Sequence, residues 1–199
     1  SQLYHENKRG VRAGYAKFET FPIWNLPLKH PVNLAYEAAT ADLSDVNMID
    51  PFHLEAYGKT AVNYNRDVEI FPVLDAMFRR IQGASPYRSP TDMGVNQAGS
   101  CIVDDAACCE ASRREILRRL YAARVDAVRG RGGSETVRKL ELLMNQADVT
   151  PELCPAVGAA IAKAEATGAP AGAMELPDGR VVTGKTSAAL GAASALLLN

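Results

Sequence analysis

The residues best suited to chemistry gather in the first hundred positions, beside aromatic and Pro-rich loops of the kind that carry function. All three histidines lie there. In "IDPFHLEAYG", Asp50 and His53 meet at the first turn of a helix; Glu55 stands about 160° from His53 at the usual 100° per residue, which strains a three-ligand metal site. The plain alternative makes Asp50 an N-cap and His53 a partly buried helix residue. Lys17 and Glu19 share one face if "YAKFET" is a strand, either as an acid/base or anion-binding pair or as a surface ion pair. Asn63, Asn65 and Arg66 in "NYNRD", with Asp92 and Asn96 in "SPTDMGVN", suit a polar cleft and suit turns and caps equally. His30, next to Lys29, either binds an anion or is a loop residue beside Pro31. The expected site is therefore Glu19, His53 and Asp92 in acid/base or metal-contact roles and Lys17 and Arg66 as anion contacts. No nucleophile triad or carboxylate pair can be assigned, no metal site is expected, and the cofactor is unknown.

A second candidate is "GRVVTGKTS", Gly179 to Ser187, which matches G-x-x-x-x-G-K-[ST]. A working phosphate loop follows a strand and curls its backbone N–H groups round the phosphates as the next helix begins. Here Pro177, Asp178 and Gly179 make a turn, and Arg180 to Thr183 is a β-favouring run where the loop should curl. The segment is expected to be a hairpin strand paired with "AMEL", with Lys185 past its end and Thr186 or Ser187 capping the last helix.

The elements that must position these groups read as follows. "SQLYHENKRG" ends a helix at Gly10, with Leu3 and Tyr4 ready to face a core. "AGYAKFETFPI" alternates like a strand. Pro31 opens "PVNLAYEAATADL", and Asp50 with Pro51 opens "PFHLEAYG". Asp67 is expected to cap "VEIFPVLDAMFRRIQG", which Gly83 stops. After the turn-rich 85–99, Asp104 or Asp105 caps a long helix with Ile116, Leu117, Leu120 and Val128 at core spacing and Glu110–Arg114 and Glu115–Arg119 as i,i+4 pairs. Ser134 caps "ETVRKLELLMNQ", and Thr150–Pro151 starts a helix ending near Gly168. The fold class is α/β, mixed α+β in parts: an α/β layer at 1–84, a turn-rich linker and helical region at 85–149, and a small C-terminal α/β subdomain with a hairpin at 150–199.

With 199 residues, 47% of them hydrophobic, the chain has enough apolar material for ordinary cores. A formal net charge of -1 argues against nucleic acid as a partner, and no apolar run approaches the roughly 20 residues that span a bilayer. Cys101, Cys108, Cys109 and Cys154 lack paired metal-site spacing and read as free thiols, which fits a cytoplasmic protein. Cys108 and Cys109 diverge by about 100° on a helix and do not chelate one metal together without other ligands.

The runs "YHENKRGVRAGYAKFETFPIWNLPLKHPVNLAYEAATADL", "NMIDPFHLEAYG", "AVNYNRDVEIFPVL", "SPTDMGVN" and "ELPDGRVVTGKTS" together resemble a bacterial family known as domain of unknown function 1846. The likeness covers essentially the whole chain. It implies an α/β protein with a helical insertion and a small C-terminal subdomain, and a Gly-rich segment with Gly-Lys, set between a strand and a helix, ahead of the position of Ser1. On that basis the chain is expected to be the C-terminal part, or a fragment, of a phosphate- or nucleotide-handling enzyme that binds a small phosphorylated ligand, with apolar surface exposed near Leu3, Tyr4, Phe18 and Phe21. The competing expectation is a noncatalytic module for self-association, a homo-oligomer, or partner binding.

Overall fold

The structure is a computed structural model that describes residues 2–16, 22–94 and 96–199. It is mixed α/β, mostly helical, and forms two compact units, 1–148 and 149–199. Lys17, Phe18, Glu19 and Phe21 lie outside the described residues. No described helix is long and apolar enough to cross a membrane.

In the first unit, α1 (Gln2–Lys8) ends before Gly10, whose φ of 76° is the left-handed turn that stops a helix there. Helix α2 (Pro31–Ala39) starts at the proline, with His30 as N-cap. The short strand β1 (Asn47–Ile49) pairs antiparallel with β2 (Val62–Tyr64), and α3 (Pro51–Tyr57) lies between them. Asp50 caps α3 by accepting from His53 N, and Gly58 closes it. Helix α4 (Asn65–Gln82) begins two residues before the expected cap: Tyr64 occupies the N-cap, and Asp67 falls inside the first turn, where a carboxylate still suits the dipole. Pro72 sits inside this helix, and Gly83 stops it.

A 3-10 turn at Pro90–Met93 packs on α3 and α4. Helix α5 (Asp105–Val128) is capped by Asp104 and packs on α2; α6 (Ser134–Gln146) packs on both. Leu34, Ile116, Leu117, Leu120, Leu140 and Leu143 are buried in these helices, while Phe71, Phe78 and Met93 form a cluster with Leu3, Phe52, Leu74 and Tyr87 against it. Leu3 is thus partly covered, and Tyr4 stays exposed. Val128, expected in the core, is 90% exposed: it is the last residue of α5, and the burial of that helix is confined to Ile116, Leu117 and Leu120 in its middle. Both expected ion pairs on α5 form, Glu110–Arg114 at 3.1 Å and Glu115–Arg119 at 2.8 Å.

In the second unit, a 3-10 turn at Pro151–Leu153 leads to α7 (Pro155–Thr167), stopped by Gly168. Strands β3 (Ala171–Glu175) and β4 (Val181–Lys185) form an antiparallel hairpin in which Met174 faces Val182 and Glu175 faces Val181. Helices α7 and α8 (Ala192–Leu197) pack on both strands. The hairpin reading of "GRVVTGKTS" therefore holds. Lys185 is the last paired residue, opposite Ala171, and not one step beyond. Neither Thr186 nor Ser187 is the cap of the last helix: α8 starts at Ala192 with Gly191 at its N-cap, and Thr186 Oγ1 reaches it only across the intervening loop, accepting from Ala192 N at 3.2 Å.

Candidate functional site

Asp50 is fully buried and shares its carboxylate between two elements. Oδ1 accepts from His53 N at 3.0 Å, and Oδ2 accepts from Thr91 N at 3.2 Å and from the Thr91 hydroxyl at 2.5 Å. Asn63 Nδ2, from β2, donates to the same Thr91 oxygen at 3.4 Å. His53 Nδ1 lies 3.0 Å from Ser89 Oγ and 3.9 Å from Asp92 Oδ1. Asp92 Oδ2 in turn accepts from Tyr57 Oη, Arg88 N and Ser89 N, while Ser89 Oγ accepts from Asp92 N, so the pair closes a capping box. Arg88 stacks over the Tyr57 ring with 5.0 Å to its centroid. The Trp24 indole stands edge-on to His53.

His53 and Asp92, expected together, are thus brought together from segments 39 apart in sequence by the turn at Pro90–Met93. Ser89 completes a Ser, His and carboxylate set in composition only. Both partners face the same ring nitrogen, whereas a nucleophile relay needs them on opposite nitrogens, and the Ser89 hydroxyl is fully buried and engaged as a cap. What the geometry does is tie α3, β2 and the Pro90–Met93 turn into one rigid piece.

That piece supplies one wall of a cleft of about 500 Å³ whose lining includes Tyr15, Arg66, Ile70, Leu74, Pro90 and Met93, with Asp67 and Glu69. His53 and Asp92 are not among its described lining. Arg66, at the second position of α4, keeps half of its side chain exposed while one guanidinium nitrogen, Nη2, donates to Asp45 Oδ2 at 3.1 Å. Asp45 is itself almost fully buried. Lys139 Nζ donates to the Asp45 carbonyl and lies 3.9 Å from Glu37 Oε1, and Glu37 Oε2 accepts from Asn47 N at 3.0 Å. Burial pushes the Glu37 carboxyl up and the Lys139 ammonium down from their ordinary values, against the pull of the Asn47 amide on the one and of Glu37 and Asp45 on the other. Of these buried groups it is Asp45 that holds Arg66 in place.

Lys17 and Glu19 lie outside the described residues. Reading the sequence missed two features. One is Asp45 as the anchor of Arg66, which carries no local signal beyond a lone acid before a strand. The other is a trio on the opposite helical layer: His30 Nε2 stands 3.1 Å from Asp105 Oδ1 and 3.7 Å from Cys109 Sγ, and Cys109 Sγ stands 3.7 Å from Asp105 Oδ2. Its one legible trace was the Asp105 to Cys109 spacing of four on a helix. Burial, with the Asp105 charge beside it, pushes the Cys109 thiol up, away from the thiolate a free nucleophile needs.

Residues 1–148 match the family model described as domain of unknown function DUF1846, N-terminal, and residues 152–199 match its C-terminal counterpart. The chain therefore carries both regions of the family, which corrects the expectation that it is confined to the C-terminal part. It is 63% identical over its whole length to a UPF0371 protein of Streptococcus equi subsp. equi and 61% identical to UPF0371 proteins of Streptococcus pyogenes serotypes M3 and M5. The chain spans 40% of the length of these curated relatives.

Proposed function

The chain belongs to the DUF1846 family, whose description assigns no activity, and from that premise we propose that residues 1–148 bind a small phosphorylated ligand or nucleotide in the cleft beside Arg66, as part of a phosphate-handling enzyme of the cytoplasm. The observation that carries this reading is the held but half-exposed Arg66 guanidinium. A guanidinium has five N–H donors, and the contact to Asp45 uses one, so several remain to meet phosphate oxygens in a fixed orientation. Arg66 also sits in the first turn of the 18-residue α4, where the helix dipole favours an anion. Tyr15, Ile70, Leu74, Pro90 and Met93 offer an aromatic and apolar wall for a base or an alkyl body. Asp67 and Glu69 in the same lining oppose a high negative charge, which favours a monophosphate over a triphosphate.

Thermal unfolding of the chain with inorganic phosphate, ribose 5-phosphate, AMP and ATP tests this reading. Binding to the folded state raises stability by about 2.7 kcal/mol at a hundredfold excess over Kd. The expected result is stabilisation by a monophosphate that Arg66→Ala removes. Absence of stabilisation by the whole panel, or the same shift in Arg66→Ala, overturns it.

A second reading, a partner-binding or self-associating module, is favoured by Ile70, Val73 and Met77, which stand half exposed at i, i+3 and i+7 of α4. Sedimentation over a range of concentrations tests it. Association that Val73→Lys abolishes supports the module, and a monomer at all concentrations removes the self-association form of it.

A further inference from the structure

We propose that His30, Asp105 and Cys109 form a site for a divalent transition-metal ion of the zinc type. The inference is independent of the ligand reading above and concerns the opposite helical layer of the first unit.

The donor groups stand close enough together to share one ion, each pair at a distance near a coordination-tetrahedron edge. With metal bonds of about 2.0 Å to nitrogen and oxygen and about 2.3 Å to sulfur, a tetrahedral ion sets its ligands roughly 3.3 Å apart for N and O and roughly 3.5 Å apart for S with either. The His30 imidazole stands 3.1 Å from one Asp105 oxygen and 3.7 Å from the Cys109 sulfur, which stands 3.7 Å from the other Asp105 oxygen. The carboxylate turns one oxygen to the imidazole and the other to the sulfur, so a small rotation brings either onto an ion between them.

Rigid elements hold all three. His30 ends the loop before α2, and only 13% of its side chain is exposed. Asp105 and Cys109 are four apart near the start of α5 and so share a face. Helix α2 packs directly on α5, so the ligands from the two elements are brought together by the core and not by a mobile loop.

The donor set selects the ion class. Imidazole with a thiolate suits zinc, cobalt or nickel and disfavours magnesium and calcium, which take oxygen ligands. Three protein ligands leave a fourth position for water. Binding is balanced as follows: the Cys109 S–H bond breaks, an S–metal bond forms from the sulfur lone pair, and the proton leaves to solvent with no change of oxidation state. His30 must ligate through Nε2 as a neutral ring with its proton on Nδ1. That nitrogen then gives up the 3.3 Å bond it accepts from Val32 N, a long and therefore weak cap.

Titration of the chelator-stripped chain with Zn²⁺ by calorimetry, and with Co²⁺ followed by absorption, tests the proposal. One ion per chain is expected, with a thiolate-to-cobalt charge-transfer band in the near ultraviolet. Cys109→Ser should remove the band, and Cys109→Ser, Asp105→Asn and His30→Asn should each weaken Zn²⁺ binding by about tenfold or more, within the scale of changes at a metal site. His30→Asn keeps a capping side chain, so its loss of affinity is not a loss of fold. Cys101→Ser, at an exposed thiol, should bind as the parent does. Absence of stoichiometric Zn²⁺ binding, a Co²⁺ complex without the thiolate band, or unchanged affinity in Cys109→Ser and His30→Asn overturns the proposal; the trio is then a hydrogen-bonded cluster only.

Discussion

Asp50 Oδ2 accepts the Thr91 hydroxyl at 2.5 Å, joining the start of α3 to a turn 41 residues away whose neighbours Pro90 and Met93 wall the cleft. Both residues are buried, so neither partner has water to fall back on. The carboxylate that looked at first like a candidate for chemistry spends its lone pairs on the cap of α3 and on Thr91.

Asp50→Ala should therefore cost stability before anything else. It removes the cap on α3 and leaves the Thr91 amide without its acceptor, together about 3 kcal/mol. Urea unfolding measures this directly. A variant as stable as the parent would mean that the turn is held by other contacts.

Tyr64 predicts an alkaline limit. Burial, with Asp45, Glu37 and Tyr36 adding to it, pushes its phenol from the ordinary 10.0 up to about 12, while a hydrogen bond with Thr40 opposes the rise. The folded chain thus holds this proton more tightly than the unfolded one, so the contribution is fully present below pH 10.0 and is lost as pH rises to about 12. The loss amounts to roughly 2 kcal/mol. In Tyr64→Phe this part of the alkaline slope should disappear, at a cost of about 1 kcal/mol near neutral pH for the bond to the Tyr36 carbonyl. Urea midpoints measured on both sides of pH 10.0 decide it: an unchanged slope in the variant would assign the alkaline loss to other groups.

Gly184 and Lys185 should separate cleanly, although both belong to the phosphate-loop pattern. A Cβ on Gly184 would overlap the Leu196 amide and come within 2.7 Å of the Ala192 carbonyl, so this glycine lets α8 lie directly on β4. Gly184→Ala is expected to cost about 1–3 kcal/mol by overpacking. Lys185→Ala at the exposed end of the strand should change stability by no more than about half a kcal/mol. Thermal melts of the two variants provide the check, and equal melting temperatures would refute the packing role.

Single local signals announced most element boundaries. Pro31, the Asp50–Pro51 pair, Gly83, Asp104 and Gly168 each act through a cap or a left-handed turn that needs only a few neighbouring residues, and all appear where the sequence places them. The hairpin was legible for the same reason, since Asp178–Gly179 and the β-branched run after it specify turn and strand together. Val128 marks the limit of such reading, because helical spacing names a face but not which positions of that face are covered.

The sites depended on packing instead. His53 meets Ser89 across 36 residues, Arg66 meets Asp45 across 21, and His30 meets Cys109 across 79. By itself the sequence determined where most helices start and stop, the C-terminal hairpin and which residue types are at hand, because those preferences are local; the short pair β1 and β2 carried no such signal, and residues 13–16, read as part of a strand, form none. Only the tertiary structure decided that Asp50 and Asp92 brace a turn, that Asp45 aims Arg66 into a cleft, and that α2 packed on α5 sets an imidazole against a thiol. Such pairings follow from how whole apolar faces are buried against one another, a choice spread over the entire core and written in no short stretch of chain.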